Sequence, residues 1–201
     1  MLSGQATTRR ELLAYGVGAA GAALLAPTSV RASPATPAEE SEALRIRRLL
    51  SVELLMLYSY QQVLTSSLLS APARRALAPL RANEEVHVRA LHAHLAALGG
   101  VAPEPPSSVP EADKDLAHRD VAGRLGQLKG AKDALRLLLA VERVTVGAYY
   151  VALIRLEDPT LITLAAEIMA NDAQHEALIG ELLYDGKAAQ AVPYGLVQGV
   201  Q

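Results

Sequence analysis

Between residues 36 and 186, long stretches in which apolar residues recur every three or four positions are separated by short stretches rich in Gly, Pro, Ser and Asp. That period belongs to amphipathic helices. It predicts an all-α chain with four long helices. The first starts at Thr36-Pro37-Ala38-Glu39, which has the form of a capping box with Pro at the first helical position. The others cover roughly 72–98, 132–157 and 160–184, with ends at Pro72, Gly99-Gly100, Asp158-Pro159 and Gly186. In the first helix, Ile46, Leu49, Leu50, Met56, Leu57, Tyr60 and Leu64 share a face with Glu53, while Arg48, Ser51, Ser59 and Gln62 fall on the other side.

Glu53 therefore sits in the middle of an apolar stripe, and the other three helices repeat the anomaly. Glu84 lies among Leu77, Leu80, Val88, Leu91 and Leu95; Glu142 among Leu135, Leu138, Leu139, Val146, Tyr149 and Leu153; Asp172 among Ile168, Met169 and Ile179. An ionised carboxylate in an apolar interior is costly, so it protonates, pairs with a cation or binds a metal.

The four acids are related by an internal repeat. Ala82-Asn83-Glu84-Glu85-Val86-His87 recurs as Ala170-Asn171-Asp172-Ala173-Gln174-His175, and Val52-Glu53 recurs as Val141-Glu142, each followed seven residues later by a tyrosine, Tyr60 and Tyr149. The chain reads as two similar helical hairpins in tandem. Glu53 and Glu84 are 31 residues apart and Glu142 and Asp172 are 30 apart, with midpoints near residue 68 and at residue 157, both in turn-like sequence. Each acid then lies roughly 22 Å from its turn at 1.5 Å per residue. All four can meet at one level of a bundle.

His87 and His175 each follow an acid by three residues and so project from the same helix face. Two single acids plus two acid-x-x-His pairs form the inward-facing ligand set of a dinuclear carboxylate site. With these residues the chain resembles the ferritin-like superfamily over about residues 36–186: Glu53 and Glu142 match its single glutamates, Glu84/His87 and Asp172/His175 its paired ligands. The resemblance implies an antiparallel four-helix bundle with a long crossover between the second and third helices. It also implies two divalent metal ions, Fe first and Mn next, with Glu84 and Asp172 bridging, Glu53 and Glu142 terminal, and one histidine on each metal. Oxygen-rich donors with two imidazoles suit those metals, although Zn or Cu could bind by raw affinity.

The chain departs from the family pattern twice. Asp172 stands where the family normally has a longer Glu, which shortens its reach and implies either a weakened metal position or a single-oxygen ligand in place of a chelating one. Thr145 stands where rubrerythrin-like proteins carry an extra glutamate, so the pattern is closer to bacterioferritin-like sites. The connection from Gly99 to about Lys129 is long enough to run the length of a bundle. Its Pro-rich start, PEPPSSVPEADKD, reads as irregular, and LAHRDVAGRLGQL as a short helix. His118, in this connection, reads as exposed. His94, two turns past His87, reads as surface or core rather than as a group behind the ligands, and Tyr58, Tyr60, Tyr149 and Tyr150 as core residues with a hydroxyl partner.

Composition narrows the function. The formal charge is −2, without a Lys/Arg block, which gives no footprint for nucleic acid. Zero cysteines exclude disulfides, thiolate metal sites and a Cys-linked lipid anchor. At the N-terminus, Thr8-Arg9-Arg10-Glu11-Leu12-Leu13 precedes a Gly/Ala-rich apolar stretch and the cleavage-like Val30-Arg31-Ala32, a sequence that resembles a twin-arginine (Tat) signal peptide. The expected organisation is a cleaved signal at 1–32, a linker at 33–35, the bundle at 36–186 and a tail at 187–201. The expected partners are the Tat translocase during export and O₂ or peroxide as oxidant, with no stable membrane anchor; a homodimer is compatible. The expected function is ferroxidase-like, peroxide-detoxifying chemistry in the periplasm, envelope or exterior. The alternative is a non-catalytic envelope or stress protein with a vacant or degenerate site.

Overall fold

A computed structural model describes residues 41–187. The proposed signal peptide, Thr36–Glu39 and nearly all of the tail lie outside the described residues; the first long helix, expected to start at that capping box, starts instead at Glu42, after an extended Ser41 whose side chain caps it. Within them, α1 (Glu42–Thr65), α2 (Ala71–Ala97), α4 (Ala131–Leu153) and α5 (Pro159–Leu183) are the four long helices. A short α3 (Val109–His118) and a 3₁₀ turn (Leu125–Gln127) lie in the crossover. No strand occurs among the described residues, and no described helix is long and apolar enough to cross a membrane.

Local chemistry sets the helix starts. Ser41, Ser70, Ser108 and Asp158 each accept a backbone N–H of the first turn, and α2, α3 and α5 carry Pro in that turn, where its missing N–H costs nothing. At the end of α2, Gly99 takes φ 71° while Gly100 N–H donates back to Leu95 O, a turn that glycine makes without steric penalty. The α4–α5 turn is held from outside the hairpin: Glu42 Oε1 accepts the N–H groups of Glu157 and Asp158 at 2.9 and 2.8 Å.

Helix α1 packs on α2 and α4, and α5 on α4 and α2. The core divides into two apolar clusters. One holds Leu55, Met56, Leu77, Leu80, Leu138 and Ile179; the other holds Leu49, Leu50, Leu91, Leu95, Leu161 and Ile168. Every long helix passes from one cluster to the other at its acid: Glu53 lies between Leu50 and Leu55, Glu84 between Leu80 and Leu91, Glu142 between Leu138 and Tyr149, and Asp172 between Ile168 and Ile179. The acids form a polar layer between two dry halves. The order of crossing also shows that α1 and α2 run antiparallel, as do α4 and α5, so the chain from α2 to α4 must travel the length of the bundle.

Three further expectations need correction. The crossover helix lies earlier than the sequence pattern suggested, at 109–118, starting in the Pro-rich stretch and ending with the first three residues of LAHRDVAGRLGQL, while 119–128 are irregular apart from the 3₁₀ turn. Ser108 caps it by accepting from Glu111 N–H, Pro110 is tolerated in the first turn, and Ala112 and Leu116 bury one face; the chain leaves the helix at Asp120, φ 55°. Helix α4 stops at Leu153 rather than 157, because residues 154–158 form the turn into α5. Ser59, expected to face outward, is fully buried, whereas Leu57 and Leu64 are only half-buried. Helix α1 touches α2, α3 and α4, so its covered surface is wider than one stripe, and the Ser59 hydroxyl is satisfied by donating to Leu55 O at 2.8 Å.

Candidate metal centre

The structure brings all six expected residues together. Glu53, Glu84, Glu142 and Asp172 are fully buried, and His87 and His175 are 7% and 3% exposed. They form two overlapping groups, Glu53/Glu84/His87/Asp172 and Glu84/Glu142/Asp172/His175, each with one donor atom per residue mutually within 4.8 Å. Glu84 and Asp172 belong to both groups, and each of the other four residues belongs to one. This is the arrangement of two cation positions sharing two carboxylates.

Each histidine points Nδ1 inward. His175 Nδ1 lies 2.8 Å from Glu84 Oε1 and 3.4 Å from Glu142 Oε1; His87 Nδ1 lies 3.3 Å from Glu84 Oε2, 3.4 Å from Asp172 Oδ1 and 3.7 Å from Glu53 Oε2. Glu84 thus faces one histidine with each oxygen. Asp172, one methylene shorter, presents the same oxygen, Oδ1, to both, at 3.4 and 3.9 Å. The rings stack at a centroid distance of 6.2 Å.

Within this layer the polar atoms are badly under-bonded. Glu53 Oε2, Glu84 Oε1, Glu142 Oε2, both oxygens of Asp172 and His175 Nδ1 are buried without a hydrogen-bond partner. Even the 2.8 Å approach of His175 to Glu84 does not have hydrogen-bonding directions. Buried polar groups are nearly always satisfied, so a cluster of six orphans aimed into one space fits cations that would accept their lone pairs. Carboxylates and imidazoles in this ratio are the donors of Fe or Mn sites. The residues fit a pair of divalent ions.

The charges agree. Burial, reinforced by neighbouring carboxylates, pushes the carboxyls of Glu53, Glu142 and Asp172 well above the ordinary range. Burial acts on Glu84 in the same direction, but the two adjacent imidazoles, His175 and then His87, outweigh it and hold its carboxyl low. Burial alone would lower the two imidazoles; instead the surrounding glutamates raise His87 to about 10 and His175 to about 9. Without cations, protons must supply the compensating positive charge.

Two tyrosines complete the layer by crossing between the halves. Tyr60 of α1 donates to Glu142 Oε1 on α4, and Tyr149 of α4 donates to Glu53 Oε1 on α1, both at 2.5 Å. Burial, then the adjacent glutamate, holds both phenols protonated, well above their usual range. Tyr149 fixes Glu53 Oε1 and leaves Oε2 facing His87, whereas Tyr60 holds Glu142 by Oε1, the same oxygen that faces His175. The core-tyrosine expectation thus acquires a partner for both Tyr60 and Tyr149, while Tyr150 is 43% exposed.

Two residues were missed. The Asn83 side-chain amide lies 3.2 Å from His175 Nε2; with Nδ1 turned to a cation, Nε2 carries the proton and the amide would accept it through Oδ1. The repeated Ala-Asn-acid-x-x-His sextet was the signal for it. Glu176 is 3% exposed and pairs with Arg143 at 3.4 Å. Its position one turn beyond Asp172 placed it near the stripe. Thr145 is buried and spends its hydroxyl on Val141 O at 3.0 Å. His118 and His92 are exposed, and His94 lies against Pro159 and Thr160, away from the cluster.

Comparison with curated proteins and with solved structures gives no match. Residues 45–185, well over half of the chain, match the family model described as "Ferritin-like domain". All four long helices and the six clustered residues fall inside that span, and the chain belongs to the ferritin-like domain family.

Proposed function

We propose that this protein holds two divalent cations, Fe before Mn, between the halves of its bundle and carries out ferroxidase-like, peroxide-detoxifying chemistry. The observation that carries the reading is the convergence of six orphaned donor atoms in a layer sealed by apolar clusters on both sides. Bound there, Fe or Mn would supply the electrons that reduce O₂ or peroxide. Glu84 and Asp172 are the shared carboxylates, Glu53 and Glu142 the terminal ones, and His87 and His175 complete one position each. Tyr60 and Tyr149 orient the terminal glutamates. The dry walls keep bulk water from competing for the donors.

The test is metal stoichiometry in the wild type and in Glu53→Ala and His175→Ala. A ratio near two that collapses in both variants supports the reading; equal trace metal in all three removes it. Consumption of O₂ or peroxide on adding Fe(II) then tests the chemistry. The second reading, a vacant or structural site, is favoured by Asp172, whose short side chain offers one oxygen to both positions. A loaded site that consumes neither oxidant would select it.

We further propose that the protein works in the envelope or outside the cell after Tat export, on the strength of Arg9-Arg10, the apolar stretch and Val30-Arg31-Ala32. Replacing both arginines by lysine should trap the uncleaved chain in the cytoplasm. Unchanged export would refute this.

A further inference from the structure

On the outer face of α1 and α4, away from the metal centre, lies a cleft of about 580 Å³. Pockets that enclose one small organic molecule span roughly 300–1,000 Å³, so its size suits a single ligand. Its construction follows from the sequence. On α4, Val144, Ala148 and Val151 succeed one another at intervals of three and four, with Gly147 beside them, so small side chains keep that helix face low, and Arg155 follows in the turn after the helix. On α1, Arg45, Arg48 and Val52 do the same. Because the two helices run antiparallel, the arginines of α1 and Arg155 of the α4–α5 turn come to the same end of the cleft.

The rim is rich in arginine. Arg45, Arg47, Arg48, Arg119 and Arg155 line it with one acid, Asp120; Arg47 Nε donates to Val101 O at 3.1 Å, and Asp115 acts on Arg119 from nearby. Arg119 is anchored by donating to Ser51 Oγ at 2.8 Å. Arg45 Nε is buried and makes no hydrogen bond, an unmet donor of the kind a bound anion satisfies. Guanidinium groups pair with carboxylate or phosphate through two parallel hydrogen bonds, whereas the valine and alanine floor offers nothing to a small hydrated anion. Basic rim and apolar floor together ask for one molecule with both characters.

We propose that this cleft binds a single-chain anionic amphiphile, a long-chain fatty acid, with its carboxylate on the arginines and its aliphatic chain along Val52, Val144 and Val151. The site is independent of the metal centre, so either proposal can fail without the other.

A dansyl-labelled fatty acid titrated into the full-length protein tests this. Saturation at one probe per chain is expected, equal in metal-loaded and metal-free protein, with displacement by monomeric laurate. Lauryl alcohol, without the charge, and acetate, without the chain, should each compete at least about ten-fold more weakly, the worth of one charge-assisted contact or of a few buried methylenes. Arg48→Glu combined with Arg155→Glu should weaken binding about ten-fold or more. Val151→Asp should do the same at a position already 41% exposed, where folding is not at stake. Arg136→Glu, outside the cleft, should change nothing. The proposal is overturned if the probe does not bind, if the cleft variants with unchanged melting temperatures bind it as well as the wild type, or if lauryl alcohol or acetate competes equally. Competition by anionic phospholipid vesicles but not by monomeric laurate would instead assign the cleft to a membrane surface and overturn it as well.

Discussion

The two hairpins descend from the same sequence pattern yet meet the polar layer differently. In the first, Glu84 reaches both histidines with separate oxygens, and Asn83 extends to His175 of the second hairpin. In the second, Asp172 reaches both histidines with one oxygen, and the matching Asn171 has its Oδ1 buried without a partner. Only the second has the buried Glu176, paired with Arg143; the corresponding position one beyond His87 is Val88. The repeat supplies two equivalent ligand sets, but the first hairpin's acid ties both positions together more completely. One methylene is enough to break the symmetry.

The sharpest way to break this comparison is to delete each shared acid in turn. Glu84→Ala should take the metal content from near two to near zero, because both positions lose a donor oxygen, while Asp172→Ala should keep about one ion; elemental analysis decides. Equal losses would mean that the asymmetry has no energetic weight. Asp172→Glu should restore the longer reach and tighten the weaker ion.

A second test uses pH. In the metal-free protein, Glu53, Glu142, Asp172, His87 and His175 all have folded pKa values above their unfolded ones. The folded state therefore binds more protons than the unfolded state, and stability falls as pH rises. The histidine contribution is complete below about 6.5 and is lost through about 9 for His175 and about 10 for His87. Glu84, held low, acts oppositely only in strong acid. The melting temperature of metal-free protein should fall by at least about 5 °C between pH 7 and 10. A ten-fold difference in proton affinity between the folded and unfolded states is worth about 1.4 kcal/mol, and each kcal/mol is worth roughly 2–4 °C at this size. Metal loading should flatten that slope and release protons. A flat metal-free profile would contradict the proton-compensated cluster.

The crossed tyrosines predict crossed effects. Tyr60→Phe should weaken the ion beside Glu142, and Tyr149→Phe the ion beside Glu53, each by roughly 10–100-fold, the usual cost of removing a group that orients a ligand. Stepwise metal titration separates this from a loss confined to the mutated residue's own hairpin. Smallest of all, Asn83→Ala should weaken metal binding by about ten-fold, and Asn171→Ala by much less, since no ligand contact is lost there.

Much of this was legible in the residues. Four helices, the two hairpin turns, the inward acids and both acid-x-x-His pairs follow from periodicity and repeat, because a helix face is fixed by spacing alone. The crossover helix was misplaced because the proline at 110 reads as a breaker until Ser108 is seen to cap the first turn that contains it. Ser59 was misassigned because α1 packs against α2, α3 and α4, a wider cover than one helix's pattern can reveal.

The sequence by itself determined which side chains face inward and that two copies of one motif exist, since these depend only on local geometry. The tertiary structure alone decided that Tyr60 serves Glu142 and Tyr149 serves Glu53, that Glu84 spans both positions while Asp172 presents a single oxygen, and that arginines from α1, the α4–α5 turn and the crossover share one cleft. Such relations are distances between helices. They are set by how two apolar clusters pack around a polar layer, and no spacing along one chain segment contains them.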